Sequence, residues 1–290
     1  MAKRMLGFCA AAAFMGLAAM ASDNIAVKSG EKIAFLGDSI TQFGAGNQGG
    51  YVHLVISGLK SNGVDATAIP AGISGHKSND MLARLQRDVL DKKPDWMTMS
   101  CGVNDVWHGA NGVPLEAYKK NIAALLDQCQ AANVKVVVLT STMIGEDTPN
   151  GNNQKLAAYN EFLREQAKER KLPLADLNAE MQEAVKQAVA AGVKGNALTC
   201  DGCHMGPLGN QMMALGVLKA FGLNPAELAK AKEAWRNTPA ACWGVTVPGT
   251  LTMGQYTQLC DKAAKAGKPV KAVLDEAFAN GVAQMLKDNN

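Results

Sequence analysis

With 290 residues, 48% of them apolar and 19% charged, the chain is long enough to bury one sizeable core with an appendage, and its balance is that of a globular protein. The formal net charge of +3 is too small to make the electrostatic footprint that nucleic-acid binding requires. Its charge runs, such as Lys168-Glu169-Arg170-Lys171, read as solvated helix ends.

The chain starts Met1-Ala2-Lys3-Arg4 and continues without a charge to Met20, where Ala19-Met20-Ala21 offers a small-x-small cleavage pattern. This predicts a secretory signal over 1–21, cleaved after Ala21, and a secreted or periplasmic protein. A membrane anchor is the competing reading, but the run is rich in Ala and Gly and short for the ~20 residues that span a bilayer. No later apolar run is long enough to span, so no membrane insertion is expected once the signal is gone. Loss of Lys3 and Arg4 reduces the 29 basic side chains to 27, against 26 acidic ones.

The next stretches alternate. Short β-rich runs at 33–36, 66–69, 96–100, 134–140 and 174–177 are separated by longer amphipathic ones, which predicts a three-layer α/β/α unit over 22–223 with a mostly parallel sheet. The helix after the third strand begins at Pro114 and gathers Tyr118, Ile122, Leu125, Leu126 and Cys129 on one face, the 3.6-residue period of a half-buried helix. The stretch 152–171 directs Leu156, Tyr159, Phe162 and Leu163 inward, and Pro173 stops it. A last helix of this unit is expected over 208–221. Beyond Leu223 no strand is evident: 225–235, 253–264 and 270–287 are helical, 237–249 is turn-rich, and 224–290 reads as a helical extension packed on the core.

Four motifs carry chemistry. Gly37-Asp38-Ser39-Ile40 follows the first strand, Gly72 lies in a Gly-rich turn after the second, and Gly102-Val103-Asn104-Asp105 follows the third. Asp201-Gly202-Cys203-His204 precedes the last helix of the α/β unit. Each has a plainer reading as a helix cap or turn. In parallel α/β sheets, however, ligands gather outside the carboxyl ends of the strands, and Ser39, Gly72 and Asn104 all fall at that one rim.

Taken in this order, the four blocks resemble those of the SGNH (GDSL-type) hydrolases, over about 32–223. The resemblance implies a flavodoxin-like sheet and a serine esterase that works through an acyl-enzyme. A serine hydroxyl is a poor nucleophile until a base removes its proton. By position Ser39 is the nucleophile, His204 the base, and Asp201 the carboxylate that orients the imidazole and stabilises its charged form. The backbone N–H groups of Ser39 and Gly72 and the Asn104 amide are the implied oxyanion donors. Asp38, His76, Trp107 and His108 are candidates to line the pocket, whereas His53 reads as a packing or surface residue. Such a reaction calls for no cofactor and no metal. The expected substrate is a small acyl ester, first of all an acetyl group on a carbohydrate. A lysophospholipase or thioesterase, an acyltransferase to a glycan hydroxyl and a non-catalytic glycan-binding module are the alternatives.

Two further patterns compete. Cys200-Asp201-Gly202-Cys203-His204 matches the haem-attachment pattern C-x-x-C-H, and Gly72-Ile73-Ser74-Gly75-His76 nearly spells a nucleophile elbow with Gly75 one place early. Of the seven cysteines, Cys101, Cys129, Cys200, Cys203, Cys242 and Cys260 remain after signal removal. Cys101 is expected at the end of a strand and Cys129 near the far end of the helix after it, roughly 20 Å apart and beyond the ~7 Å reach of a disulfide, so Cys129 reads as a buried free thiol. Cys242 and Cys260 are candidates for a staple in the extension. None of these features encodes the oligomeric state.

Overall fold

The five apolar runs pair side by side, all parallel, in the order β2-β1-β3-β4-β5. The strands are β1 (Lys32–Gly37), β2 (Thr67–Gly72), β3 (Trp96–Ser100), β4 (Lys135–Leu139) and β5 (Leu174–Ala175). The structure is a computed structural model and describes residues 24–147, 149–240 and 251–288. The predicted signal and Cys242 therefore lie outside the described residues. Strand β3 is buried throughout and β1 is buried after its first residue, as expected of strands covered by helices on both faces.

One strand is longer than its sequence suggests. β2 runs through Pro70 to Gly72 rather than stopping at Ile69, because it is an edge strand, where a residue with no N–H to give is tolerated. Gly72 is thus the last residue of a strand and not part of a following turn.

The helices are α1 (Ser39–Gly46), α2 (Tyr51–Ser61), α3 (Ser78–Asp88), α4 (Val103–Trp107), α5 (Leu115–Ala131), α6 (Gly151–Glu169), α7 (Leu177–Ala190) and α8 (Pro207–Ala220), followed by α9 (Pro225–Trp235), α10 (Met253–Ala266) and α11 (Val270–Asp288). In α5 the buried residues are Tyr118, Ile122, Leu125, Leu126 and Cys129, the face the period predicts. α9 is tied into the core by Trp235, which is 1% exposed and donates its indole N–H to the Leu54 carbonyl of α2 at 3.1 Å. No helix among the described residues is long and apolar enough to cross a membrane.

The cysteines divide differently from one expectation. Cys129 is a buried free thiol, pushed up to about 12 by burial. Cys260 is also free, beside the Tyr256 hydroxyl on α10, so the proposed Cys242–Cys260 staple does not form. Cys200 is engaged in a disulfide.

From β1 the chain passes to β2 on one side and then crosses to β3 on the other. The crevice outside the carboxyl ends of β1 and β3 is therefore the topological switch point, where such folds bind ligands.

Candidate active site

Asp38 follows the last residue of β1 and caps α1, its Oδ1 accepting the Ile40 N–H at 2.9 Å. Ser39 is consequently the first residue of α1, and its own N–H has no acceptor within the helix. The turn is tight: a Cβ on Gly37 would overlap the Thr41 side chain.

The loop between α7 and α8 comes back to this point. Its ends are closed by a bridge between Thr199 and Met205, with the Cys200 N–H bonded to the His204 carbonyl at 2.8 Å. At its tip Asp201 Oδ1 accepts the N–H groups of Cys203 (2.9 Å) and His204 (2.7 Å), and Oδ2 meets His204 Nδ1 at 2.6 Å. His204 Nε2 lies 2.9 Å from Ser39 Oγ. Burial pushes the Asp201 carboxyl up, but the hydrogen bonds from the His204 ring and from the His204 and Cys203 backbones outweigh it, and its pKa is lowered. Phe43 of α1 packs against the imidazole, with ring centroids 5.1 Å apart. A carboxylate, an imidazole and a hydroxyl in continuous hydrogen-bond contact form the arrangement in which a serine can lose its proton to a base as it attacks a carbonyl.

A second network centres on Asn104, in α4 just past β3. Its Nδ2 donates to Asp38 Oδ2 (3.3 Å) and to the His76 carbonyl (3.2 Å), and its Oδ1 faces His108 Nε2 at 3.3 Å. Asp38 is 2% exposed, and burial pushes its carboxyl up to about 6. His76 Nδ1 accepts a bond from Arg84 Nε at 3.0 Å; burial, with the guanidinium beside it, lowers the imidazole's pKa and favours the neutral ring. Trp107 lies three residues after Asn104, on the same side of α4, and is 47% exposed.

Gly72 sits at the carboxyl end of β2, in register with Gly37. Its missing side chain is accounted for by α1: a Cβ there would overlap the Gln42 amide nitrogen and lie 2.7 Å from the Thr41 carbonyl carbon. The glycine is required by backbone of this chain itself.

The structure thus joins Ser39, His204 and Asp201 in one chain of contacts, and Asp38, Asn104, His76 and His108 in another that meets it at the Asp38–Ser39 step. His53 lies outside both, with Nε2 on the Ala45 carbonyl at 2.8 Å. The competing patterns are otherwise employed. Cys200 is in a disulfide, Cys203 is a buried thiol pushed up to about 12 by burial, and both nitrogens of His204 have side-chain partners. Ser74 Oγ bonds Gln42 Oε1 at 2.6 Å, with no imidazole. Among the described residues no group of three or more His, Cys, Asp or Glu is placed to hold a metal ion.

Two residues that no motif marked hold this site. Arg84 of α3 reaches the ends of β1 and β2, and Glu146 secures the His204 loop. The Glu146 carboxylate accepts the N–H groups of Ala197 (2.6 Å), Leu198 (2.9 Å) and Thr199 (2.6 Å) and the Thr199 hydroxyl (2.6 Å), while the Gly145 N–H donates to the Gly202 carbonyl at 2.6 Å.

Comparison with known proteins agrees with the geometry. An acetylxylan esterase of Geobacillus stearothermophilus is 27% identical over 215 residues, covering 68% of this chain and 96% of that protein. An uncharacterized lipoprotein of Bacillus subtilis, YqeF, is 24% identical over 173 residues, or 51% of this chain and 70% of its own. The crystal structure of an acetyl xylan esterase, AlAXEase, superposes with a TM-score of 0.61 at 33% identity, covering 65% of this chain and 98% of that one. Residues 35–212, which include the end of β1, the Ser39 turn, the Asn104 helix and the His204 loop, match the GDSL-like Lipase/Acylhydrolase family, and the chain belongs to that family of carboxylic ester hydrolases.

Proposed function

We propose that this esterase removes acetyl groups from carbohydrate outside the cytoplasm, with Ser39 as nucleophile. The observation that carries the reading is the continuous contact from Asp201 through His204 to Ser39, at 2.6 and 2.9 Å. Ser39 Oγ attacks the acyl carbonyl and gives its proton to His204 Nε2. The imidazolium then protonates the departing sugar oxygen, leaving an acetyl-serine. Water, deprotonated by the same imidazole, releases acetate and restores Ser39. Asp201, held ionised by its three donors, keeps Nδ1 protonated and stabilises the positive ring.

The carbonyl oxygen gains charge at each step and needs donors aimed at it. The resemblance assigns this role to the Ser39 N–H at the start of α1, the Gly72 N–H and the Asn104 amide; of these, Ser39 and Asn104 stand at the ends of β1 and β3, on either side of the crevice. The Asn104 contacts, at 3.2 and 3.3 Å, are long, and an oxyanion that takes the hydrogen now on the neutral His76 carbonyl replaces a weak bond with a charge-assisted one. The exposed Trp107 beside Asn104 offers a flat apolar surface on which a sugar ring stacks. Similarity to two xylan-acetyl esterases supports the acetyl and carbohydrate assignment. The basic start, the apolar run and Ala19-Met20-Ala21, together with a lipoprotein among the relatives, support export.

Ser39→Ala is expected to abolish hydrolysis of p-nitrophenyl acetate, and full activity in that variant would refute the assignment. Trp107→Ala is expected to raise KM severalfold for acetylated xylo-oligosaccharides while leaving p-nitrophenyl acetate unaffected. A preference for long-chain acyl esters over acetylated sugars would overturn the substrate class while leaving the nucleophile in place.

A further inference from the structure

Beyond His108 the rim of the sheet carries an open cleft of about 490 Å³, a volume in the range of small-ligand sites. One wall is the connection after β3, at Gly109, Gly112 and Leu115, and the other is the start of α6 after β4, at Lys155, Ala158 and Tyr159. β3 and β4 are neighbours in a parallel sheet, so both walls stand at the carboxyl ends of their strands, the side on which Ser39 and Asn104 also stand. The chain itself links the cleft to the crevice. Gly109 directly follows Trp107-His108, and His108 Nε2 faces Asn104 Oδ1 at 3.3 Å. Consecutive Cα atoms are about 3.8 Å apart, so the cleft begins one residue from the Asn104 network.

The cleft is formed in advance of any ligand. The Val113 N–H donates to the Asp105 carbonyl at 3.0 Å, and the Val113 carbonyl accepts the hydroxyl of the buried Tyr159 at 2.7 Å. A Cβ on Gly112 would overlap the Asp105 carbonyl. The loop is therefore pinned between α4, which carries Asn104, and α6, and a surface already fixed loses little entropy on binding. Its walls are small or apolar apart from Gln154 and Lys155. Gln154 already donates its amide to the Pro149 carbonyl at 2.8 Å. Lys155 is exposed, and it is the one charged residue lining the cleft. The acidic residues that flank the two walls in sequence are taken, Glu116 by Lys119 at 2.9 Å and Glu161 by Arg164 at 3.3 Å. Lys155 has no ion-pair partner among the described residues.

We propose that this cleft is a subsite for a second sugar of the substrate chain, one that bears a carboxylate, with Lys155 as its counter-charge. The proposal rests on the carbohydrate reading of the crevice. A chain whose acetylated ring lies on Trp107 continues past His108 into the cleft. There the small and apolar walls meet the C–H faces of a pyranose, and the ammonium meets the carboxylate of a uronic acid. A neutral chain fills the same walls but leaves the cation unanswered.

The test compares acetate release from two acetylated xylo-oligosaccharides, one unbranched and one with a glucuronic acid branch, by the wild type, Lys155→Gln and Lys155→Glu. The quantity read is kcat/KM for the acidic substrate over that for the neutral one within each protein, so any general loss of activity or of folded protein cancels. For one solvent-exposed ion pair the wild-type ratio is expected to be about three- to fivefold, carried by KM, and to fall toward one in about 0.5 M NaCl. Lys155→Gln should bring the ratio to about one, and Lys155→Glu, which sets like charges together, below one. A wild-type ratio below about 1.5 would overturn the proposal. So would a preference that Lys155→Gln retains, since the branch would then be recognised elsewhere. Failure of the carbohydrate reading shows separately, as a wild type that hydrolyses p-nitrophenyl acetate but neither oligosaccharide, and the subsite falls with it.

Discussion

Replacing Asp38 by asparagine tests the electrostatics of the crevice through stability. Asp38 is 2% exposed, and burial displaces its carboxyl from 3.8 to about 6. The Ile40 N–H and the charge of a protonated His204 pull it down, and the Asp105 carboxylate adds to the rise. The folded chain thus binds this proton more tightly than the unfolded chain does. The stability that Asp38 contributes is present below about pH 3.8 and is lost as pH rises to about 6, after which it is level. At about 1.4 kcal/mol per pKa unit the loss is on the order of 3 kcal/mol. The Asp38→Asn side chain has nothing to titrate and keeps an oxygen for the α1 cap. Urea unfolding of both proteins from about pH 3.5 to 7 gives a stability difference for each pH. Groups with lowered values, such as Asp88 at about 2 and Asp201, act alike in both proteins and cancel. Wild type minus Asp38→Asn is expected to decline by about 3 kcal/mol across the window. A difference that is flat within about 0.5 kcal/mol would show that the carboxylate is not desolvated at the mouth of α1, and the reasoning would fail.

Other expectations follow from single contacts. Gly72→Ala drives a Cβ into the α1 backbone at Thr41 and Gln42, which cannot rotate away as a side chain can, so a loss of about 1–3 kcal/mol in urea unfolding is expected. Gly46→Ala, with nothing within 4 Å of its Cβ and no positive φ, should show no such loss, and equal behaviour of the two would sink the steric account. Glu146→Gln turns an amide NH2 toward backbone N–H groups that now meet a carboxylate. Roughly 2–3 kcal/mol of loop stability is expected to go, read as faster hydrogen exchange at Ala197, Leu198 and Thr199 with a lower kcat. Unchanged protection there would contradict it.

The residues placed to do chemistry were legible because their positions are local consequences of strand ends. Ser39 follows an apolar run by three residues and Asn104 follows another by four, and the parallel topology brings both to one rim whatever the side chains do. Gly72 comes to the same rim, but as the last residue of β2 rather than in a turn, and the space a Cβ would take is filled by α1. β2 was cut short because Pro70 is a strand breaker everywhere except at a sheet edge, and edge position is a global property. The free thiol of Cys260 was equally hidden, since disulfide partners are chosen by distance in space.

Arg84 and Glu146 escaped for a related reason, but not to the same degree. Glu146 sits in a turn-rich segment where a charge is unremarkable, and the amides it serves are 51 to 53 residues away. Nothing local sets it apart from a solvated loop residue. Arg84 does leave a mark: it interrupts an apolar face between Met81 and Leu85 at helical spacing, and an unpaired guanidinium cannot be buried there. Its partner could have been anticipated in kind, though not in place, since the Gly37 carbonyl is 47 residues away. The carbonyl oxygens at strand ends keep a lone pair for a further donor, as the Gly37 carbonyl does while it also accepts the Ile73 N–H at 3.1 Å, and the rim where they lie is also where ligands of such sheets bind. A buried arginine on a helix flanking such a rim is therefore directed by the same geometry that directs the nucleophile, to the ends of the strands that precede the site.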